Sequence, residues 1–177
     1  MDLKKPGDWI YVLGATKEEL GGSQYYLLRQ SRAGQVPRVK LEESWPLYQA
    51  LSQAMAKGCV SACHDCSDGG LGVALAEMAL ASPLGLFLDL RKLVLSPELK
   101  AQNRTDKVLF SESNSRFVVE VPQQHRRTFE QILHGSSLAC VGQVRQGPSL
   151  QIVGMKGKTI SWKVRDLERA WRGGIKP

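Results

Sequence analysis

The chain has 177 residues, 42% of them apolar and 23% charged, and 24 Lys and Arg against 17 Asp and Glu give it a net charge of +7. That length and composition suit one globular domain able to bury roughly 70% of its unfolded surface, and they exclude a disordered tail, a collagen-like rod and a disulfide-packed miniprotein. No apolar run approaches the roughly 18–20 residues of a membrane span, and Met1 to Pro6 lacks a signal peptide's apolar core, so a cytoplasmic protein with no membrane partner is expected.

Asp8 to Leu13 reads as a strand stopped by Gly14. Leu20-Gly21-Gly22-Ser23 follows, with Ser23 able to cap a short helix through Leu28. Residues 31–40 read as a loop broken by Gly34 and Pro37. Ser44 is an apt N-cap with Pro46 in the first turn, and Leu47, Ala50, Leu51, Ala54 and Met55 recur at helical spacing up to Gly58. Val60 to Cys63 is a short apolar strand, and Leu71 to Ala81 is a nearly all-apolar, hence buried, helix. Leu84 to Leu90 reads as an inner strand, and residues 91–107 as a polar, helix-tolerant connection around Pro97.

Phe117, Val119 and Val121 alternate with Arg116 and Glu120, which predicts a strand with one wet face. Pro122 opens a helix to about His134 with Phe129, Ile132 and Leu133 inward, and Leu138 to Val144 is a strand. Leu150–Val153 and Ile160–Val164 predict a hairpin, and Asp166 is a candidate cap for a last helix to Arg172. Helices alternate with strands and the chain ends on strands, so an α/β (α+β) domain with a mixed sheet packed by helices is expected.

Residues 156–176, including Lys176, supply +5 of the net charge. A basic tail can bind an anion, but aromatic residues do not interleave with the charges in the way a stacking platform for single strands requires, so a solvated face is the expectation. Cys63-x-x-Cys66 has the spacing of half a zinc site, yet no second Cys or His pair follows, and His125 and His134 stand isolated. Small thiols filling a strand-to-loop junction are the simpler reading.

The segment His64-Asp65-Cys66-Ser67-Asp68-Gly69-Gly70 lies between a strand and a buried helix. Free N–H groups at a helix start can hold an anion, and glycines let a phosphate approach. Carboxylates beside a phosphate suggest a shared Mg²⁺. Asp65 and Asp68 are therefore candidate metal ligands, and Ser67, Gly69 and Gly70 candidate nucleotide contacts; equally, Ser67 or Asp68 could simply cap the helix. A second candidate is Phe110 to Arg116, where Glu112, Ser113 and Asn114 could grip a polar ligand. Nothing has the pattern of a P-loop or a nucleophile elbow, and no catalytic residue is assigned.

Read together, Tyr11 to Gly14 with Leu20 to Ser23, His64 to Leu71 with Ala74 to Ala79, and Leu109 to Ser113 with Arg116 resemble the phosphoribosylformylglycinamidine synthase family. The resemblance is to the C-terminal domain of its second synthetase half, in the aminoimidazole ribonucleotide synthetase-like superfamily, and covers about residues 8–165. It implies an ATP-dependent C–N ligase of purine biosynthesis, in which ATP activates the formamide oxygen of formylglycinamide ribonucleotide and glutamine-derived ammonia replaces it. It further implies Asp65 as a Mg²⁺ ligand, Ser67 as an ATP or ADP contact, and Glu112, Ser113 and Asn114 as positional matches to a substrate-gripping loop. His64 is read as positioning the loop. The family's ATP-binding lysine, catalytic histidine and glutaminase residues have no counterpart here, so partners are expected: its own N-terminal synthetase domains and a glutaminase domain or subunit. Alternatives are another superfamily member (selenophosphate synthetase, hydrogenase maturation protein or thiamine phosphate kinase) or a non-enzymatic basic binding module.

Overall fold

A computed structural model describes residues 1–174. Lys176, part of the basic stretch, lies outside the described residues. Seven strands form one sheet: β1 Trp9–Leu13, β2 Ala62–Asp65, β3 Gly85–Asp89, β4 Phe117–Val121, β5 Leu138–Arg145, β6 Ser149–Val153 and β7 Thr159–Lys163. Their order is β2-β4-β1-β5-β3-β6-β7, and only β3 and β6 run parallel. The helices are α1 Gln24–Leu28, α2 Leu41–Ala56, α3 Gly70–Leu80, α4 Pro97–Gln102, α5 Thr105–Phe110, α6 Arg126–Ile132 and α7 Val164–Gly173. This is the mixed-sheet α+β architecture expected.

Two apolar cores lie on opposite faces of the sheet. Strand side chains alternate between them: Ile10, Val12 and Val118 join the core under α3, while Tyr11, Leu13, Val119 and Val121 join the core under α2 and α6. α3 buries Leu71, Ala74, Leu75, Met78 and Ala79, as an all-apolar helix must.

The structure corrects several expectations. β4 has no wet face: Arg116 and Glu120 are 1% and 0% exposed. The strand sits between β2 and β1 with helices over both faces, and the two polar side chains are satisfied internally. Glu120 accepts the N–H groups of Lys4 and Lys5 at 3.0–3.1 Å, and burial raises its pKa.

β2 starts two residues later than the apolar run suggests. The N–H of Gly58 donates to Met55 and that of Cys59 to Ala54, closing α2, and the N–H of Ser61 donates to the carbonyl of Glu120 at 2.9 Å just ahead of the strand. α2 itself begins at Leu41, with Glu42 and Glu43 in its first turn, so Ser44 is inside the helix rather than its cap. Pro46 lies in the second turn, where it has no N–H to give to the carbonyl of Glu42.

The connection at 91–107 holds α4 and the start of α5. Ser96 caps α4 and Asn103 closes it in the left-handed region, φ +50°. α7 begins at Val164, so Asp166 falls within its first turn instead of capping it. No described helix is long and apolar enough to cross a membrane.

Candidate functional site

The three segments singled out from the sequence meet at one corner of the sheet, on a single carboxylate. Glu112 Oε1 accepts the N–H of Gly69 at 2.8 Å and the N–H of Gln24 at 3.0 Å. It therefore sits at the starts of α3 and α1, where unpaired N–H groups and the helix dipole favour an anion. Neither Ser67 nor Asp68 caps α3; the residue at the cap position is Gly69 at φ +78°. Gly70 follows at φ +61°, and a Cβ there would clash with the carbonyl oxygen of Ser111. Glycine is required at this position by both its dihedral and the close approach of the two loops.

The loop carrying Glu112 is built around Arg116. This side chain is buried and, among the described residues, has no carboxylate partner. Its Nε donates to the carbonyl of Ser113 at 3.0 Å, Nη1 to Thr16 Oγ1 at 3.0 Å, and Nη2 to the carbonyl of Ser111. Burial pulls its pKa down, opposed by Cys66, Glu19 and Glu112 nearby. Ser111 Oγ donates to the carbonyl of Lys17 at 2.7 Å, and the N–H of Lys17 donates to Ser113 Oγ at 3.0 Å. The N–H of Cys66 donates to the carbonyl of Arg116 at 2.9 Å. Loop 111–116 is thus stitched to segment 16–19 on one side and to the 65–70 loop on the other.

Against this frame, the nominated residues divide. Asp65, Ser67 and Asp68 are exposed. Ser67 Oγ donates to Asp65 Oδ2, and this bond, with burial opposing it, holds the Asp65 carboxyl below the usual range. His64 packs behind: Nε2 is 2.8 Å from Glu77 Oε2 on α3 and Nδ1 is 3.4 Å from Asp65 Oδ1. Gly69 and Gly70 are buried, with their N–H groups bonded to Glu112 and to the carbonyl of Ser67. Ser113 is buried, whereas Asn114 is exposed and lines a cleft of about 40 Å³ with Lys17, Arg38, Lys40 and Ser115.

The cleft holds one internal carboxylate already. Glu43 accepts from Lys17 Nζ at 3.2 Å and Lys40 Nζ at 3.0 Å. Asp65 and Ser67 are oxygen donors of the kind a hard cation takes, and Mg²⁺ binds through one or two carboxylates with phosphate and water completing its shell. Among the described residues no three His, Cys, Asp or Glu side chains form a metal-holding group. Cys63 and Cys66 point away from a shared ion, since Cys66 belongs to the α3 core and Cys63 to the α2 core. Burial pushes the Cys63 thiol up to about 11.

Thr16 and Lys17 did not stand out in sequence, and Arg116 stood out as the end of the second candidate segment but not as the buried anchor of its loop. The only local sign was the Ser-x-Ser alternation ahead of Arg116, in a loop otherwise compatible with purely local hydrogen bonds.

The phosphoribosylformylglycinamidine synthase subunit PurL of Synechocystis sp. is 41% identical over 97% of this chain, and that of Methanocaldococcus jannaschii 33% identical over 94%. The chain spans only 22% of the length of either protein. In structure it is similar to T. maritima PurL complexed with FGAR, with a TM-score of 0.79 at 20% identity, covering 94% of this chain and 28% of that one. The same T. maritima protein complexed with ATP aligns with a TM-score of 0.70 at 20% identity, over 94% and 26% of the two chains. E. coli HypE, a hydrogenase maturation protein, aligns with a TM-score of 0.66 at 21% identity, over 92% and 51%. At these identities the structural likeness speaks for the fold. The family described as AIR synthase related protein, C-terminal domain, matches residues 5–154, ending before β7 and α7. With five-sixths of its length inside that match, the chain belongs to the AIR synthase related protein C-terminal domain family.

Proposed function

We propose that the chain, taken as one domain over residues 1–177, is the C-terminal domain of the second synthetase half of a cytoplasmic phosphoribosylformylglycinamidine synthase. The observation that carries this reading is the 41% identity to the Synechocystis subunit across almost the whole chain. In this reading the parent ligase converts formylglycinamide ribonucleotide, ATP and glutamine-derived ammonia to formylglycinamidine ribonucleotide. The 177 residues alone are inactive, because the family's ATP-activating residues belong to synthetase domains that this stretch does not match. The likeness to HypE is one of fold and favours no second reaction.

Within that enzyme the Asp65–Gly70 corner meets the phosphates of ATP or ADP shared with another domain. Mg²⁺, when bound, would neutralise those phosphates. Asp65 is suited to hold it, since its exposed carboxyl is kept ionised by the Ser67 hydroxyl and backed by His64. Ser67 is the exposed contact of the nucleotide group, while Gly69 and Gly70 shape the turn. Of the substrate group, Glu112 and Ser113 hold the frame and Asn114 is the exposed contact.

The test replaces the matching stretch of the Synechocystis subunit with this chain and measures ATP-dependent turnover with ammonia. An active chimera supports the reading, and an inactive, folded one removes it. Asp65→Asn in the chimera should weaken retention of Mg²⁺-nucleotide by about tenfold or more while leaving the thermal midpoint unchanged, since the side chain is exposed. Undiminished retention would remove Asp65 from the metal site.

A further inference from the structure

Among the described residues twelve large apolar side chains are exposed, and seven of them fall between Leu27 and Tyr48. Scattered exposed apolar residues are ordinary; their concentration on one stretch of surface is not. α2 uses one face, Leu47, Leu51 and Ala54, to cover the core. A second face at i, i+4, i+7 leaves Leu41 72%, Trp45 62% and Tyr48 40% exposed. The strap before it, residues 31–40, adds Val36 and Val39 at 60% and 57%, and α1 adds Leu27 at 69%. Two bonds tie this strap to segment 19–21: Gly21 N–H to the carbonyl of Gln35 at 2.8 Å, and Arg38 N–H to Glu19 Oε1 at 3.2 Å.

The strap before α2 is also one-signed, and the acids of the ridge, Glu42 and Glu43, follow only in the first turn of α2. Between Ser23 and Leu41 the chain carries Arg29, Arg32, Arg38 and Lys40 and no acid. Of these only Lys40 has a carboxylate partner among the described residues, Glu43 at 3.0 Å. The ridge borders the candidate site directly: Gln24 at the start of α1 donates to Glu112, and the Tyr48 hydroxyl lies 2.8 Å from Ser115 Oγ.

What covers this surface follows from length and charge. The chain spans 22% of its PurL relatives, so most of such a polypeptide lies outside it. A second copy of this chain would set the same cations against each other across a two-fold axis, which like-charge repulsion opposes. We infer that the ridge from Leu27 to Tyr48 is the seat of a neighbouring synthetase domain of the parent polypeptide, one whose facing surface is apolar at its centre and edged with Asp and Glu. This rests on the reading of the chain as part of a longer synthetase, and it names the face through which the site would be completed.

Hydrogen–deuterium exchange of the free chain and of the Synechocystis chimera tests it. Amides of residues 24–48 should exchange at least about tenfold more slowly in the chimera; equal exchange overturns the inference. Leu41→Glu with Trp45→Glu, both at exposed positions, should restore fast exchange in the chimera, as should Arg32→Glu with Arg38→Glu to a smaller degree. Trp171→Glu on α7, also exposed, should leave it protected; loss of protection there, or retention in the ridge variants, counts against the assignment. If the free chain itself shows protection of 24–48 that grows with concentration and sediments as a dimer, the seat belongs to a second copy and the inference fails. Turnover of the unmutated chimera is read separately, so a protected but inactive chimera removes the synthase reading and not the docking face.

Discussion

Loop 111–116 and helix α7 are both short and polar, yet the structure gives them opposite weight. In the loop Ser111, Ser113 and Arg116 are buried and every guanidinium arm ends on a carbonyl or hydroxyl of the frame. In α7 no residue is buried, and the charges pair with neighbours on the same helix, Arg172 with Glu168 at 2.9 Å and Arg169 with Asp166 at 3.8 Å. The loop lies inside the family match and α7 beyond its end. Density of charge says little about importance; removal from water with obligatory partners says much, because a buried polar group stripped of its partner loses its full hydration without return.

Four perturbations test that contrast, the largest first. Arg116→Met keeps the volume but orphans the carbonyls of Ser111 and Ser113, and should destabilise the fold by on the order of 3 kcal/mol in urea denaturation. A loss below about 1 kcal/mol would place the loop with ordinary surface segments.

Gly70→Ala should lose about 2 kcal/mol or more, since it adds a steric clash with the Ser111 carbonyl to the left-handed backbone penalty. Gly135→Ala is the control, with φ +87° and nothing within 4 Å of the added carbon. It should lose only about 1 kcal/mol, so that equal midpoints for the two variants would mean the loops are not in close contact.

Glu112→Ala should lower stability by about 1–2 kcal/mol through the two helix starts it serves. Glu112→Gln, which keeps the accepting oxygen, should recover more than half of that in the same thermal melts.

Arg172→Ala on α7 should shift stability by no more than about 0.5 kcal/mol. A larger effect, measured at low and high salt, would show that α7 contributes through packing on α3 as well as through charge.

The parts of the fold that were legible in the sequence are those with a local cause. β1, β5 and α3 follow from apolar runs and their stops, and Ser23 caps α1 as its spacing predicts, accepting the N–H of Tyr26. The candidate site was legible as a set of segments, because Gly69-Gly70, Leu20 to Ser23 and Phe110 to Ser113 are unusual for an ordinary connection. Its inner bonding was not. Glu112 lies 43 residues from Gly69 in sequence, and nothing near Gly69 announces that its N–H will be met by a distant carboxylate. The wet face expected for β4 was lost for a similar reason: alternation shows which residues share a face, and the neighbours of the strand decide whether that face sees water.

The sequence by itself determined the order of the strands and of the helices other than α4 and α5, the mixed-sheet class and the family, because periodicity, turn chemistry and the His64–Leu71 segment are written in adjacent residues. Only the tertiary structure decided which polar groups serve the fold and which remain free. Ser113 and Arg116 are buried and Glu112 is tied to two helix starts, while Asp65, Ser67 and Asn114 face outward. That division arises from pairing between segments far apart in the chain, where burial turns a polar side chain from a solvated group into a structural one.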